Sequence, residues 1–266
     1  MAKRLGWIGN VPVVKEELTM SNINLYQGDC LEIMKEIKDK SIDMILCDLP
    51  YGTTKCKWDV IIPFDKLWEQ YNRIIKDNGC VALFGSEPFS SKLRLSNLDN
   101  YKYDIYWVKE KPTNFMQVKR RVGKLTENIC VFYKKQCTYN PQMVKHNGKK
   151  VTNKPSETNA KFKSVVASDS PTMQIKPYED TGYRYPCDIL NVRREKLGST
   201  VHPTQKPVEL LEWLIKTFSN ENDLVLDNCM GSGSTGVACK NLNRNFIGIE
   251  LDENYFNIAK ERIDKA

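Results

Sequence analysis

Carboxylates carry most of the chemistry this sequence can offer. Four of them stand where short apolar runs break: Asp29 after Ile23-Asn24-Leu25-Tyr26, Asp48 after Ile45-Leu46-Cys47, Asp227 after Leu224-Val225-Leu226, and Glu250 after Phe246-Ile247-Gly248-Ile249. A carboxylate in such a place can cap the following helix or accept hydrogen bonds from a ligand's amine or hydroxyl groups. Asp48 opens the run Asp48-Leu49-Pro50-Tyr51-Gly52, whose proline, aromatic and glycine end a strand in a turn. On its own that run is also an ordinary β-turn, with Asp48 bonding nearby backbone N–H groups. Asp29 sits at a helix start, where capping is the commoner use.

Asp227 leads into Asn228-Cys229-Met230-Gly231-Ser232-Gly233-Ser234-Thr235-Gly236. Gly231, Gly233 and Gly236 have the spacing of the dinucleotide-binding turn, which alone is a weak signal. Glycines there let backbone approach a ligand at a helix N-terminus. An acid ending the next strand, Glu250, can take both hydroxyls of a ribose. Glu250 lies 14 residues past Gly236 and 19 past Gly231, so spacing does not choose between nucleotide ligands. Asp227 does: it would repel a pyrophosphate and suits a ligand carrying an ammonium group, such as the methionine part of S-adenosylmethionine.

Such acids converge only if their strands run parallel and end at one sheet edge, where open α/β sheets place ligands. Short apolar runs at 23–26, 41–48, 80–84, 103–107, 128–133, 223–226 and 245–249 read as strands. Helical spacing marks 31–37, 63–76, 90–98, 208–218 and 253–263, with a further helix opening at Val237. The alternation predicts βαβ units and a largely parallel sheet with helices on both faces. The strands at 103–107 and 128–133 have no long helix between them, which predicts an antiparallel hairpin at the sheet edge.

From 134 to 201 the pattern dissolves, and Tyr183-Arg184-Tyr185 and Arg193-Arg194 interleave aromatic and basic residues. Between Lys134 and Thr200 thirteen Lys/Arg face six Asp/Glu, which accounts for the whole net charge of +7. A solvated loop is the plain reading of a charge run, but this asymmetry favours a polyanionic partner. The chain thus divides into an arm (1–22), a first half-domain (23–133), a basic insert (134–201) and a second half-domain (202–266).

The nine cysteines include no closely spaced pair and there are two histidines, so no metal site is expected and reduced, structural thiols are. No apolar run approaches the ~20 residues of a membrane span, and residues 1–10 lack a leader pattern. The expectation is a cytoplasmic protein.

In chain order, Gly28-Asp29-Cys30-Leu31, Asp48-Leu49-Pro50-Tyr51, His202-Pro203-Thr204-Gln205-Lys206-Pro207, Asp227 to Gly236 and Gly248-Ile249-Glu250 resemble the β class of DNA amino-methyltransferases. The resemblance spans 23–133 and 202–266. It implies a Rossmann-like α/β fold in circularly permuted methyltransferase order, with 134–201 as target-recognition insert. It also implies S-adenosylmethionine as cofactor and double-stranded DNA as substrate.

By the same resemblance, Asp29, with Cys30 beside it, would meet the cofactor's adenine and Glu250 its ribose. Asp227, Gly231, Ser232, Gly233 and Thr235, helped by Thr204 and Lys206, would hold its methionine moiety. Asp48, next to the cofactor, and the Leu49 carbonyl would accept hydrogen bonds from the target amino group. Pro50 would shape the turn, Tyr51 would stack on a flipped base, and Phe132 or Tyr133 would cover its other face. The chain departs from the family at Leu49, where proline is usual, and at Asn228-Cys229, where Pro-Phe is usual.

Pro186-Cys187 resembles the nucleophile of cytosine-C5 methyltransferases but precedes the glycine loop, so Cys187 is read as structural. His202 falls in the cofactor segment, where ligand contact or packing suits it better than a role as general base. In the family that the chain resembles, Asp at the first position of this tetrapeptide is the commoner residue of N6-adenine enzymes and Ser of N4-cytosine enzymes. The resemblance of Asp48 therefore implies N6 of adenine, with N4 of cytosine as the near alternative. An RNA or protein amide methyltransferase, a non-catalytic nucleic-acid binder and an NAD enzyme are the rival readings. A homodimer and a partner restriction nuclease are compatible with the family, and the sequence leaves both open.

Overall fold

The computed structural model describes residues 22–53, 59–146, 181–194 and 205–266. Arm residues 1–21, most of the insert, and Thr204 with His202 lie outside them.

In chain order the elements are β1 (Ile23–Gln27), α1 (Cys30–Lys35), β2 (Ile42–Cys47), α2 (Phe64–Ile74), β3 (Ile75–Gly85), α3 (Phe89–Ser96), β4 (Tyr101–Val108) and β5 (Thr126–Phe132). Then follow β6 (Val144–Lys145), β7 (Tyr183–Arg184), β8 (Ile189–Asn191), α4 (Val208–Phe218), β9 (Leu224–Asp227), α5 (Ser234–Asn241), β10 (Asn245–Glu250) and α6 (Glu253–Lys265). Among the described residues, eight strands form one sheet in the order β1-β10-β9-β2-β3-β5-β4-β8, and β6 pairs with β7 apart from it. In the main sheet only β5 runs against its neighbours.

Both faces of the sheet are covered, so its central strands are apolar on both sides, as parallel sheets require. Successive β2 residues divide between the layers. Met44 and Leu46 join the core under α4, α5 and α6, and Ile45 and Cys47 join the core under α1, α2 and α3. In α4, Leu210, Leu211, Leu214, Ile215 and Phe218 form the buried stripe behind Pro207, as the helical spacing predicts. In α2 the stripe is Leu67, Trp68, Tyr71 and Ile74.

Two details depart from the expectations. The hairpin β4–β5 is not the sheet edge, because β8, from within the basic segment, pairs parallel to β4 outside it. Three residues with one buried leucine carry too little apolar pattern to announce a strand. β3 also begins earlier than its apolar run, pairing at Ile75 with Ile42 across an irregularity in β2.

Candidate active site

The sheet order changes direction between β9 and β2. These strands lie side by side, with Met44 beside Val225 and Ile45 beside Leu226, yet they come from opposite ends of the chain. Helices leave them on different faces, which opens a crevice at their carboxyl ends. Asp227 ends one strand and Asp48 follows the other. A cavity of about 660 Å³ occupies the crevice, within the range of nucleoside-sized ligand sites.

Asp48, Leu49, Pro50, Tyr51, Lys206, Asp227, Gly231, Ser232, Thr235 and Glu250 all line it. The acid-led turn and the glycine loop, expected from separate halves of the sequence, are two walls of one space. Asp29, Cys30 and Gly233 do not line it. Asp29 caps α1, accepting from Leu31 N–H at 2.8 Å, while Gly28 N–H ties this turn to the Glu250 carbonyl at 2.9 Å. Cys30 lies under the glycine loop, where the Asn228 amide reaches its sulfur at 3.6 Å. The hydrogen bond that its thiol donates to Cys229, together with burial, holds Cys30 far above its ordinary pKa.

The glycine loop is built from inside. Asp227 is buried, accepting from Cys229 N–H at 3.1 Å and the Thr235 hydroxyl at 2.6 Å. Burial outweighs these bonds and pushes its carboxyl up to about 6, and the nearby Asp48 carboxylate adds to the rise. Gly231 and Gly233 adopt left-handed backbone, with φ 53° and 78°, which side chains with a Cβ rarely take. Gly231 N–H donates to Glu250 Oε2 at 2.8 Å, and Asp252 N–H to Oε1 at 2.9 Å. Both oxygens are thus fixed while each keeps a lone pair for a ligand. Asn228, where the family pattern has proline, accepts the Tyr71 hydroxyl at 2.5 Å inside the core.

Across the cavity, the Tyr51 hydroxyl lies 2.7 Å from Asp48 Oδ1 and 3.1 Å from Glu127 Oε1. Its ring stacks on Phe89, centroids 4.8 Å apart at 27°. Asp59 folds the turn by accepting Gly52 N–H and Thr53 N–H, each at 2.8 Å. The Lys206 ammonium bonds Asp48 Oδ2 and stands 3.0 Å from Glu127. Lys109 bonds Glu127 from the other side.

Two ammoniums therefore face two carboxylates in a nearly dry cluster. Burial raises the Asp48 carboxyl above the usual range, with Lys206 opposing it. Burial also acts to raise Glu127, but Lys206 and Lys109 overcome it and hold that carboxyl down at about 2. Asp48 is thus the better proton acceptor of the two.

The sequence profile of the N6/N4 DNA methylases matches residues 42–261. The chain belongs to that family. The methylase is 29% identical to the type II methyltransferase M.HpaI of Haemophilus parainfluenzae over 89% of this chain and 73% of that protein. It is 28% identical to M2.LlaDCHI of Lactococcus lactis subsp. cremoris over 97% and 95%. The crystal structure of the M1.HpyAVI–SAM complex matches it with TM-score 0.59 and 31% identity, covering 90% of this chain and 99% of that one. PvuII DNA methyltransferase, described as cytosine-N4-specific, shares the fold at TM-score 0.63 and 19% identity.

Phe132 and Tyr133, expected over a bound base, belong elsewhere in the methylase. β5 runs antiparallel, so its end lies at the sheet edge opposite the site. There Phe132 packs against Trp68 and Tyr101, and both residues line a separate cavity of about 250 Å³. The same reversal brings the start of β5, Thr126 and Glu127, into the site. Glu127 was legible only by treating the expected hairpin as a reversal of which strand end faces the ligand. Lys109 and Arg194 enter the wall by the complementary rule, just past the carboxyl ends of β4 and β8.

Proposed function

We propose that this methylase transfers the methyl group of S-adenosylmethionine to the exocyclic N6 of an adenine flipped out of duplex DNA. The observation that carries the reading is the meeting of Asp48 and Asp227 at adjacent strand ends in one cavity. The donor set fits the cofactor. The buried Asp227 carboxylate suits the methionine ammonium, and the lone pairs left on Glu250 suit the two ribose hydroxyls. When bound, S-adenosylmethionine supplies a sulfonium-activated methyl group.

The chain's own residues do the rest. An adenine amino group is a poor nucleophile because its lone pair is delocalised into the ring. Asp48 and the Leu49 carbonyl accept its two hydrogens, which favours tetrahedral nitrogen and localises that pair. As the N–C bond forms and the S–C bond breaks, the nitrogen must shed a proton. Asp48, raised by burial, is placed to take it. Lys206 keeps Asp48 ionised beforehand, and the Tyr51 hydroxyl fixes its rotamer. A paired base cannot offer its amino group to such a pocket, so the base must leave the stack. The Tyr51 ring, backed by Phe89, then provides one wall for it.

Aspartate rather than serine at position 48 favours adenine. The alternative within the family is N4 of cytosine. The test is to incubate protein, plasmid and S-adenosylmethionine labelled in its methyl group, then digest the DNA to nucleosides and weigh them. N6-methyladenine is expected. N4-methylcytosine would establish the alternative, and an unlabelled plasmid beside labelled RNA or protein would overturn the substrate class.

A further inference from the structure

The loop joining β4 to β5, residues 109–125, holds six Lys/Arg and one Glu. Its base is stitched shut. Lys109 N–H donates to the Leu125 carbonyl at 2.8 Å, and Thr113 N–H to the Lys124 carbonyl at 2.9 Å. Asn114 braces the interior, its amide donating to the Val122 carbonyl at 3.1 Å and its oxygen accepting Lys124 N–H at 2.7 Å. The Lys124 ammonium bonds the Ser86 hydroxyl just past the end of β3. Thr113 and Lys124 line the wall of the active-site cavity, so the loop stands at the rim.

Beyond that base the loop exposes what a soluble surface usually hides. Phe115 is 69% exposed, Met116 84%, Val118 48% and Val122 91%. They sit on and around a 3-10 turn, Phe115–Gln117, with Lys119, Arg120 and Arg121 also exposed. A clustered apolar tip marks a contact surface. A tip flanked by cations on a hydrogen-bonded stalk matches the duplex itself, with an apolar base stack inside and phosphates outside. Proteins that open the stack use such wedges of Phe, Leu, Ile or Met.

We propose that this loop is the wedge of base flipping. Phe115 and Met116 enter the stack where the target base departs, and Lys119, Arg120 and Arg121 hold the flanking phosphates. The inference rests on the DNA-methylation reading above and names the part of the protein that keeps the duplex open.

The test uses the full chain and a duplex carrying the site mapped by sequencing methylated plasmid, with 2-aminopurine at the target position. The same strand is also supplied unpaired. For F115A/M116A the rise in 2-aminopurine emission on binding should be lost. Its ratio of duplex to single-strand methylation should fall by about tenfold, because a wedge helps only where a stack must be opened. For K119A/R120A/R121A the slope of log binding constant against log salt should shrink by about 2 to 3, the value for about three lost phosphate contacts.

An unchanged ratio with normal emission in F115A/M116A overturns the wedge. So does a concentration-dependent dimer that this variant abolishes while flipping survives, which would make the tip a subunit contact. A wild-type protein that labels no DNA at all sinks the parent reading instead, so the two failures are distinguishable.

Discussion

Replacing Asp227 with asparagine should stabilise the folded protein at neutral pH while abolishing its hold on the methyl donor. Burial lifts this carboxyl from 3.8 to about 6, which corresponds to about 3 kcal/mol. The unfolded chain releases the proton near 3.8 and the folded chain only near 6. Between those values the unfolded state binds fewer protons, so stability falls as pH rises through the window and stays lower above it. Asparagine removes the buried charge and keeps the shape. Its oxygen can still accept Cys229 N–H, and its amide can donate to a Thr235 hydroxyl that turns round to accept.

Up to about 3 kcal/mol should therefore be gained at pH 7.5, roughly 6 to 12 °C in melting temperature for a domain of this size. Against this, a ligand at a hundred times its Kd stabilises the wild type by about 2.7 kcal/mol, and that increment should vanish in the variant. Urea unfolding of both proteins between pH 4.5 and 8, with and without S-adenosylmethionine, measures each quantity. A variant no more stable than wild type at pH 7.5, or a gain that does not grow with pH across the window, refutes the reasoning.

Glu127→Gln should behave oppositely. Its carboxyl, held at about 2 from 4.5, contributes stability that is present above pH 4.5 and lost as pH falls from there through about 2. The variant should lose about 3 to 5 kcal/mol at pH 7, because Lys109 and Lys206 are left with too little negative charge; a urea midpoint equal to wild type would contradict this. Asp48→Ala should lower kcat/KM by about a hundredfold or more through loss of an acceptor used in the transition state. By contrast Leu49→Pro should stay active, since its carbonyl is retained and Pro50 already keeps residue 49 extended. Leu49 is buried, so that variant should still melt earlier, by about 1 to 3 kcal/mol; a natively folded but inactive Leu49→Pro protein would show the turn to be misread. Gly233→Ala meets both a positive φ and a Cβ placed 2.8 Å from Ala259 Cβ. It should cost about 1 to 3 kcal/mol, and an unaltered melting curve would disprove the packing argument.

The elements that deliver acids to the site were legible because each strand is a short apolar run ended by polar or turn-forming residues. β2, β9 and β10 needed nothing beyond that pattern, and α4 was readable to the residue because Pro207 marks its start and its stripe is unbroken. What escaped the sequence depends on direction and on long-range neighbours. Glu127 sits at the beginning of a strand, and only the reversed course of β5 brings it beside Asp48. Its partner Lys206 was read as a cofactor residue. In the fold it bonds Asp48 and Glu127, a contact spanning 158 residues to Asp48. β8 is too short to leave a pattern. The apolar tip at 115–122 was hidden in a different way: residues of that type are assumed to be core until a structure places them outside.

The order of strands across the sheet also has a bearing on synthesis. β1 pairs with β10, and β2 is flanked on one side by β9, so both wait for partners that leave the ribosome about 180 to 220 residues later. At about 5 to 20 residues per second, the gap between Ile23 and Phe246 is roughly 10 to 45 seconds. During it β2, β3, β5 and β4 can assemble, but β2 then presents a bare edge that is apolar except for Asp43. That edge is the place where a nascent or truncated chain is most exposed to mispairing and to capture by chaperones. The crevice between β2 and β9, walled in part by Glu250 at the end of β10, cannot exist before both later strands have been made.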